Sequence, residues 1–289
     1  MTIFLDLRLH PVGGELSSRV AICQGTSISD YAGLLQDDLL EAVRGRNLLI
    51  ATHGFNVNRT DGIATLSNWD KLLHLGPGAA FLGLLWPGDS IWAHGLDYPD
   101  EPKVADEAGA LLAAFIEVNL QESASISFAS HSLGARVVLS TIKNLHQRVR
   151  RLTLMAGAID DNCLNAEFQL AAAKVGEISV LASKEDKVLS RLFPLGNFFG
   201  GLLDQGHPWW HAAIGHCGPQ RSWPANFAAP FLIPGDWEFQ HGDYLHIDAN
   251  PPALNPPVIV PPQGAPKPAG GAAGWQEAFT AGFESTRFP

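Results

Sequence analysis

Cysteine is scarce, with three residues at Cys23, Cys163 and Cys217. An odd number at such wide spacing argues against a disulfide framework, fits free thiols in a reducing compartment, and makes a cytoplasmic location the expectation. Positive charge is short as well: Lys and Arg number 19 against 29 Asp and Glu, a formal net charge of -10. Phosphate binding needs a concentrated basic surface, so no nucleic-acid partner is expected. No apolar run reaches the roughly 18 to 20 residues that a membrane-spanning helix needs, so no membrane span is predicted. The opening Met1-Thr2-Ile3-Phe4-Leu5-Asp6-Leu7-Arg8 lacks a basic region followed by a long apolar stretch, so it reads as a first strand and not as a signal peptide. Charge is sparse overall, 17% against 46% hydrophobic, which excludes disorder for the body of the chain and allows a large core.

What is present is an alternation of apolar segments. Ile3 to Leu9 and Arg19 to Cys23 flank Pro11-Val12-Gly13-Gly14 and predict an antiparallel hairpin, followed by an amphipathic helix around Ile28 to Val43. Asn47 to Thr52 and Ala80 to Trp86 are nearly continuous apolar runs, the pattern of strands covered on both faces. Helical periodicity over Val104 to Leu120 precedes a strand at Ser125 to Ala129, a helix holding Val137 to Leu145, a strand at Leu152 to Met155, a helix near Leu164 to Ala173 and a strand at Ile178 to Ala182. Such alternation implies a mostly parallel sheet with crossover helices, a three-layer α/β sandwich spanning residues 1–249. Within it, 194–234 is rich in Gly, Pro and Trp and is expected to be a lid or long active-site loop. Residues 250–289 form a Pro- and Gly-rich tail that cannot build a core, although Trp275 to Phe283 has enough apolar residues for a short docking helix.

The segment Ser125 to Val138 reads strand, tight turn, helix, with Ser130-His131-Ser132-Leu133-Gly134 at the turn. A nucleophile on such a turn is lifted above the sheet, and the residues two before and two after it must be small because strand and helix backbones crowd there. Ser130 and Gly134 meet that requirement, with Ser130 standing where glycine is usual. A second motif, Thr52-His53-Gly54-Phe55-Asn56, directly follows a buried strand.

Together with Trp86-Pro87-Gly88 and Ser183-Lys184-Glu185-Asp186, these motifs resemble the α/β-hydrolase superfamily, and within it the bacterial esterase/lipase-like group of largely uncharacterised members. The likeness covers about Leu48 to Leu245, most of the body. It implies hydrolysis of a small-molecule carboxylic ester through an acyl-enzyme, with no cofactor and no metal, and leaves thioesters and amides open.

The resemblance implies Ser132 as nucleophile, with the N–H groups of Phe55 and Leu133 as the oxyanion hole. The superfamily's chain order of Ser, acid, His leaves His207, His211, His216, His241 and His246 as bases. Gln240-His241-Gly242-Asp243-Tyr244-Leu245 resembles the late loop that carries it, so His241 is the expected base and His246 the alternative. Asp186, at the end of the strand Ile178 to Ala182, is the expected acid, with Asp160 and Asp161 as rivals. His53, on the wrong side of the nucleophile in chain order, reads as a structural histidine. His207, His211 and His216-Cys217 have spacings that zinc ligands use, but Pro208, Trp209 and Trp210 interrupt them and fit better as the wall of an acyl pocket. Trp86-Pro87-Gly88 lines the same mouth or simply packs. A different class of function, a non-catalytic module binding a small molecule or protein on a hydrolase scaffold, with the tail recruiting a partner, remains the alternative.

Overall fold

The computed structural model describes residues 1–73, 75–89, 101–191, 212–219, 223–228, 232, 233, 235 and 239–244. The chain opens with the expected hairpin, β1 (Thr2–Arg8) against β2 (Leu16–Gly25). The helix expected from Ile28 is shorter: α1 spans Gln36–Val43. Upstream of it, the Asp30 carboxylate accepts the Thr26 and Ser27 N–H groups at 2.9 and 2.6 Å and locks a turn. Ala32–Gly33 then adds to β2 as a two-residue edge strand, β3.

Beyond α1 come β4 (Asn47–Thr52), α2 (Arg59–Leu73), β5 (Ala79–Leu85), α3 (Glu101–Asn119), β6 (Ser125–His131), α4 (Gly134–Asn144) and β7 (Val149–Met155). The helix expected near Leu164 to Ala173 is broken, a single turn at Cys163–Asn165 followed by α5 (Gln169–Lys174). After β8 (Val175–Leu181) come α6 (Lys187–Arg191), α7 (Ile214–Cys217) and β9 (Phe227–Ala228).

Helix α2 has no counterpart in the sequence expectations. Asn58 caps it reciprocally, its side-chain oxygen accepting the Asp61 N–H at 3.0 Å while its amide donates to the Asp61 carboxylate at 2.8 Å. The helix buries Ile63, Leu66, Trp69 and Leu73 along one stripe. Gly62 lets it approach the sheet, since a Cβ there would stand 2.8 Å from Leu85 and 3.2 Å from the His53 ring.

Among the described residues, nine strands form one sheet in the order β3-β2-β1-β5-β4-β6-β7-β8-β9. The hairpin and its edge are antiparallel, and every pairing from β1–β5 across to β8–β9 is parallel. Leu48, Leu49, Ile50 and Ala51 of β4 are all buried, which requires cover on both faces of the sheet and agrees with a three-layer sandwich. In register, Thr52 lies beside Ser130, His131 beside Met155, and Met155 beside Leu181. The carboxyl ends of β4, β6, β7 and β8 therefore share one edge, the position where ligands bind in open α/β sheets.

Much of the segment expected to be a lid, 194–211, 220–222, 229–231 and 234, lies outside the described residues, as do the tail 250–289 and His207, Trp209, Trp210, His211 and His246. The described remainder of 194–234 is built into the body. Ala213 and Ile214 are buried, and Gly215 packs so closely on the turn after β7 that a Cβ would stand 2.1 Å from the carbonyl carbon of Ala156. Phe227 and Ala228 extend the sheet beside Ile178 and Ser179.

Candidate active site

Ser132 sits on the two-residue turn between β6 and α4 in the left-handed region, at φ 52°. That conformation is unfavourable for a residue with a Cβ and persists only where surrounding bonds enforce it. Here the Ser132 N–H donates to Met155 O at 3.0 Å, and its carbonyl accepts the N–H groups of Ala135 and Ala158, each at 3.1 Å. Ser130 and Gly134 flank the turn. A Cβ on Gly134 would lie 2.4 Å from His53 O, which is the physical need for glycine there. Ser130 is extended and fully buried, so the usual glycine is not required at its position.

The chain brings His241 to this serine from 109 positions away, with Nε2 at 2.9 Å from Ser132 Oγ. The other ring nitrogen, Nδ1, lies 2.8 Å from Asp186 Oδ2. A carboxylate only accepts, so Nδ1 carries the proton and donates, leaving Nε2 as acceptor for the serine hydroxyl. Asp186 is fully buried, and its second oxygen accepts the Leu189 N–H at 2.9 Å in the first turn of α6. Both carboxylate oxygens are thus fixed, one by a helix terminus and one by the imidazole. Ser183 ties the two loops together, its hydroxyl donating to Phe239 O at 2.7 Å. The carboxylate that meets His241 is Asp186. Of the rivals, Asp160 pairs with Ala213 in an isolated bridge, and the Asp161 N–H donates to Ala212 O at 2.9 Å.

The loop after β4 closes over the serine from the opposite side. A Cβ on Gly54 would stand 2.7 Å from Ser132 Cβ, so only glycine allows this approach. Asn56 turns the chain at φ 59° and donates its N–H to Gly88 O at 2.6 Å, joining this loop to Trp86-Pro87-Gly88. Trp86 is buried and its Nε1 donates to His53 O at 3.0 Å, so this motif packs behind the loop. Of the two expected oxyanion donors, the Leu133 N–H makes no hydrogen bond among the described residues, and Phe55 follows the close contact at Gly54. His53 donates Nδ1–H to Gly54 O at 2.9 Å, stacks on Trp86 at 6.0 Å, and is pushed down to about 3 by burial, so it stays neutral.

Two features were not singled out from the sequence. His131 donates Nε2–H to the main-chain oxygen of His241 at 2.7 Å, and burial together with the neighbouring His241 pushes its pKa down to about 3. Its one signal was adjacency to Ser132. The second feature is a buried charge cluster behind the Gly54 loop. Arg8 donates to Val57 O at 3.0 Å and Trp86 O at 2.7 Å and pairs with Asp89, while Arg59 pairs with Asp6 at 2.8 Å. Arg8 and Asp6 were visible only as charges inside an apolar strand.

His216, weighed as a zinc ligand, has Nδ1 3.2 Å from Ser183 O. Among the described residues, no three His, Cys, Asp or Glu side chains gather in a group able to hold a metal ion, and no helix is long and apolar enough to cross a membrane.

Several solved structures are similar to this chain. Esterase PE8 is 18% identical over 53% of this chain and 80% of its own, with a TM-score of 0.35. A propionate-bound thermophilic esterase from the Planctomycetes species Thermogutta terrifontis is 11% identical over 70% of this chain and 76% of its own, with a TM-score of 0.34. Phospholipase PlaB from Legionella pneumophila, in complex with thio-NAD, is 16% identical over 51% of this chain and 39% of its own, with a TM-score of 0.31. No curated protein matches. The model of the family described as alpha/beta hydrolase of unknown function (DUF900) matches residues 34–193, more than half of the chain and the stretch holding the Gly54 loop, Ser132 and Asp186, and the chain belongs to that family.

Proposed function

We propose that this chain hydrolyses carboxylic esters through an acyl-enzyme on Ser132. The observation that carries the proposal is the continuous pair of hydrogen bonds from Ser132 Oγ to His241 Nε2 and from His241 Nδ1 to Asp186. His241 takes the serine proton as Oγ attacks the ester carbonyl, and Asp186 holds the ring in the required tautomer and stabilises the imidazolium that forms. The N–H groups of Phe55 and Leu133 receive the developing oxyanion. His241 then protonates the leaving alcohol, and the acyl group stays on Ser132 until water, deprotonated by the same imidazole, releases the acid.

Reaction with a fluorophosphonate probe tests this directly. Wild-type protein is expected to be labelled at Ser132 and to hydrolyse 4-nitrophenyl esters, with the preferred acyl length read from a graded series. Ser132→Ala is expected to lose both activities while remaining folded. Folded wild-type protein that neither labels nor hydrolyses would favour a binding module on a hydrolase scaffold, and equal turnover by Ser132→Ala would reject the nucleophile.

A further inference from the structure

The ring of His131 stands between the two loops that meet at Ser132. Its main chain is fixed at the end of β6, in register with Met155 of β7. On one flank it lies beside Gly54, where a Cβ would stand 3.1 Å from its Nδ1. On the other it packs against His241, ring centroids 4.8 Å apart, and against Tyr244 at 6.1 Å. Nε2–H completes the span by donating to His241 O at 2.7 Å.

The bonds of the loop Phe239–Tyr244 include Ser183 at its entry, the Gln240 N–H to the Asp243 carboxylate at 2.8 Å, the Asp243 N–H to Gln240 O at 3.1 Å and the His241 ring to Asp186 at 2.8 Å. Among the described residues, the hydrogen bond to the backbone of His241 itself comes from His131. We propose that His131 is a positioning residue: its imidazole fixes the main chain of His241 relative to the Gly54 loop, setting the height at which the His241 ring meets Ser132 Oγ. This inference rests on Ser132 being the nucleophile. A neutral donor suits the task, because the adjacent His241 ring gains positive charge when it takes the serine proton and a cationic spacer would oppose that step. Placement errors of about 1 Å in a reacting group can cost on the order of 100-fold in rate, so one hydrogen bond of this kind has leverage well beyond its own strength.

Two substitutions separate donor from filler. His131→Phe keeps the ring packed against Tyr244 and Gly54 but has no N–H. His131→Gln keeps an amide that reaches the same carbonyl. For 4-nitrophenyl acetate, His131→Phe is expected to lower kcat by about 100-fold with KM changed by less than about twofold, and His131→Gln to recover to within about fivefold of wild type. The rate of fluorophosphonate labelling at Ser132 should fall and recover in parallel. If His131→Phe fails to fold, His131→Asn, whose amide is too short to reach the carbonyl, takes its place. Wild-type kcat in a folded donor-less variant overturns the positioning role while labelling at Ser132 leaves the nucleophile standing. Equal losses of rate and thermal stability in His131→Phe and His131→Gln also overturn it, in favour of simple packing. A wild-type protein that does not label overturns the nucleophile and the positioning role together.

Discussion

Two largely buried polar clusters border the loop after β4, one through Arg8 at Val57 O and the other through Ser132 beside Gly54. Behind it, Arg8 pairs with Asp89 and Arg59 with Asp6, and Arg8 also donates to the main-chain carbonyls of Val57 and Trp86. In front of it, Asp186 pairs with an imidazole whose outer nitrogen is an acceptor for a serine hydroxyl. A guanidinium has no acceptor and does not give up its proton in a protein, so the rear cluster can only hold geometry. An imidazole can gain a proton and return it, so the front cluster can do chemistry. The rear cluster gives the Gly54 loop something rigid to lean on, and the front cluster needs that loop in one place.

Substitutions sharpen the contrast. Asp186→Asn preserves shape but loses the carboxylate that selects the tautomer, and is expected to lower kcat by roughly 10⁴-fold with little change in folding, measured by ester hydrolysis alongside circular dichroism. Arg8→Met should do the opposite. It leaves the Asp89 carboxylate buried without its cation, at a cost of about 3–5 kcal/mol of stability, while the molecules that remain folded still label at Ser132. Urea unfolding read against labelling distinguishes the two, and a loss of labelling without a loss of stability would erase the division of labour. Gly54→Ala falls between them, because the new Cβ would collide with Ser132 Cβ at 2.7 Å. A rate loss of about 100-fold with about 1–3 kcal/mol of destabilisation is expected from the displaced loop.

A separate effect concerns pH. His53 and His131 are pushed down to about 3 by burial, whereas in the unfolded chain each titrates near about 6.5. As pH falls the unfolded chain takes up these two protons first. The stability each neutral ring contributes is therefore complete above about 6.5 and is lost towards pH 3, at about 1.4 kcal/mol per pH unit for each. Urea midpoints between pH 7 and 5 should fall accordingly, and less steeply in His131→Gln. Identical slopes in the two proteins would show that His131 is not held neutral.

Strands covered on both faces were legible because they are continuous apolar runs, as Leu48 to Ala51 are. Helix α2 was not, because Gly62, Ser67 and the polar residues between Ile63, Leu66, Trp69 and Leu73 dilute its periodicity. The start of α1 was misjudged because Asp30 uses its carboxylate to hold a turn where apolar spacing alone suggested helix. At the site, Ser132 announces itself locally, since strand, turn and helix fall within a few residues. Asp186 and His241 meet across 55 positions; Asp186 was legible from its place at the end of a strand, and His241 from the chain order and late loop that the resemblance implies. His131 and Arg8 escaped notice because they act on main-chain oxygens far along the chain, and a carbonyl has no residue type to search for.

The docking of α7 on the turn after β7 has a consequence for the order in which the molecule is made. Ser132 O is held by the Ala158 N–H, Gly157 O receives the Gly215 N–H at 3.0 Å, and Gly215 O receives the Ser183 N–H at 3.0 Å. A growing polypeptide exposes its serine long before residue 215 has been synthesised to underpin that turn, and longer still before residue 241 supplies an acceptor for the hydroxyl proton. The hydrogen bonds that fix the Ser132 turn and its hydroxyl are thereby incomplete until nearly all of the body has left the ribosome.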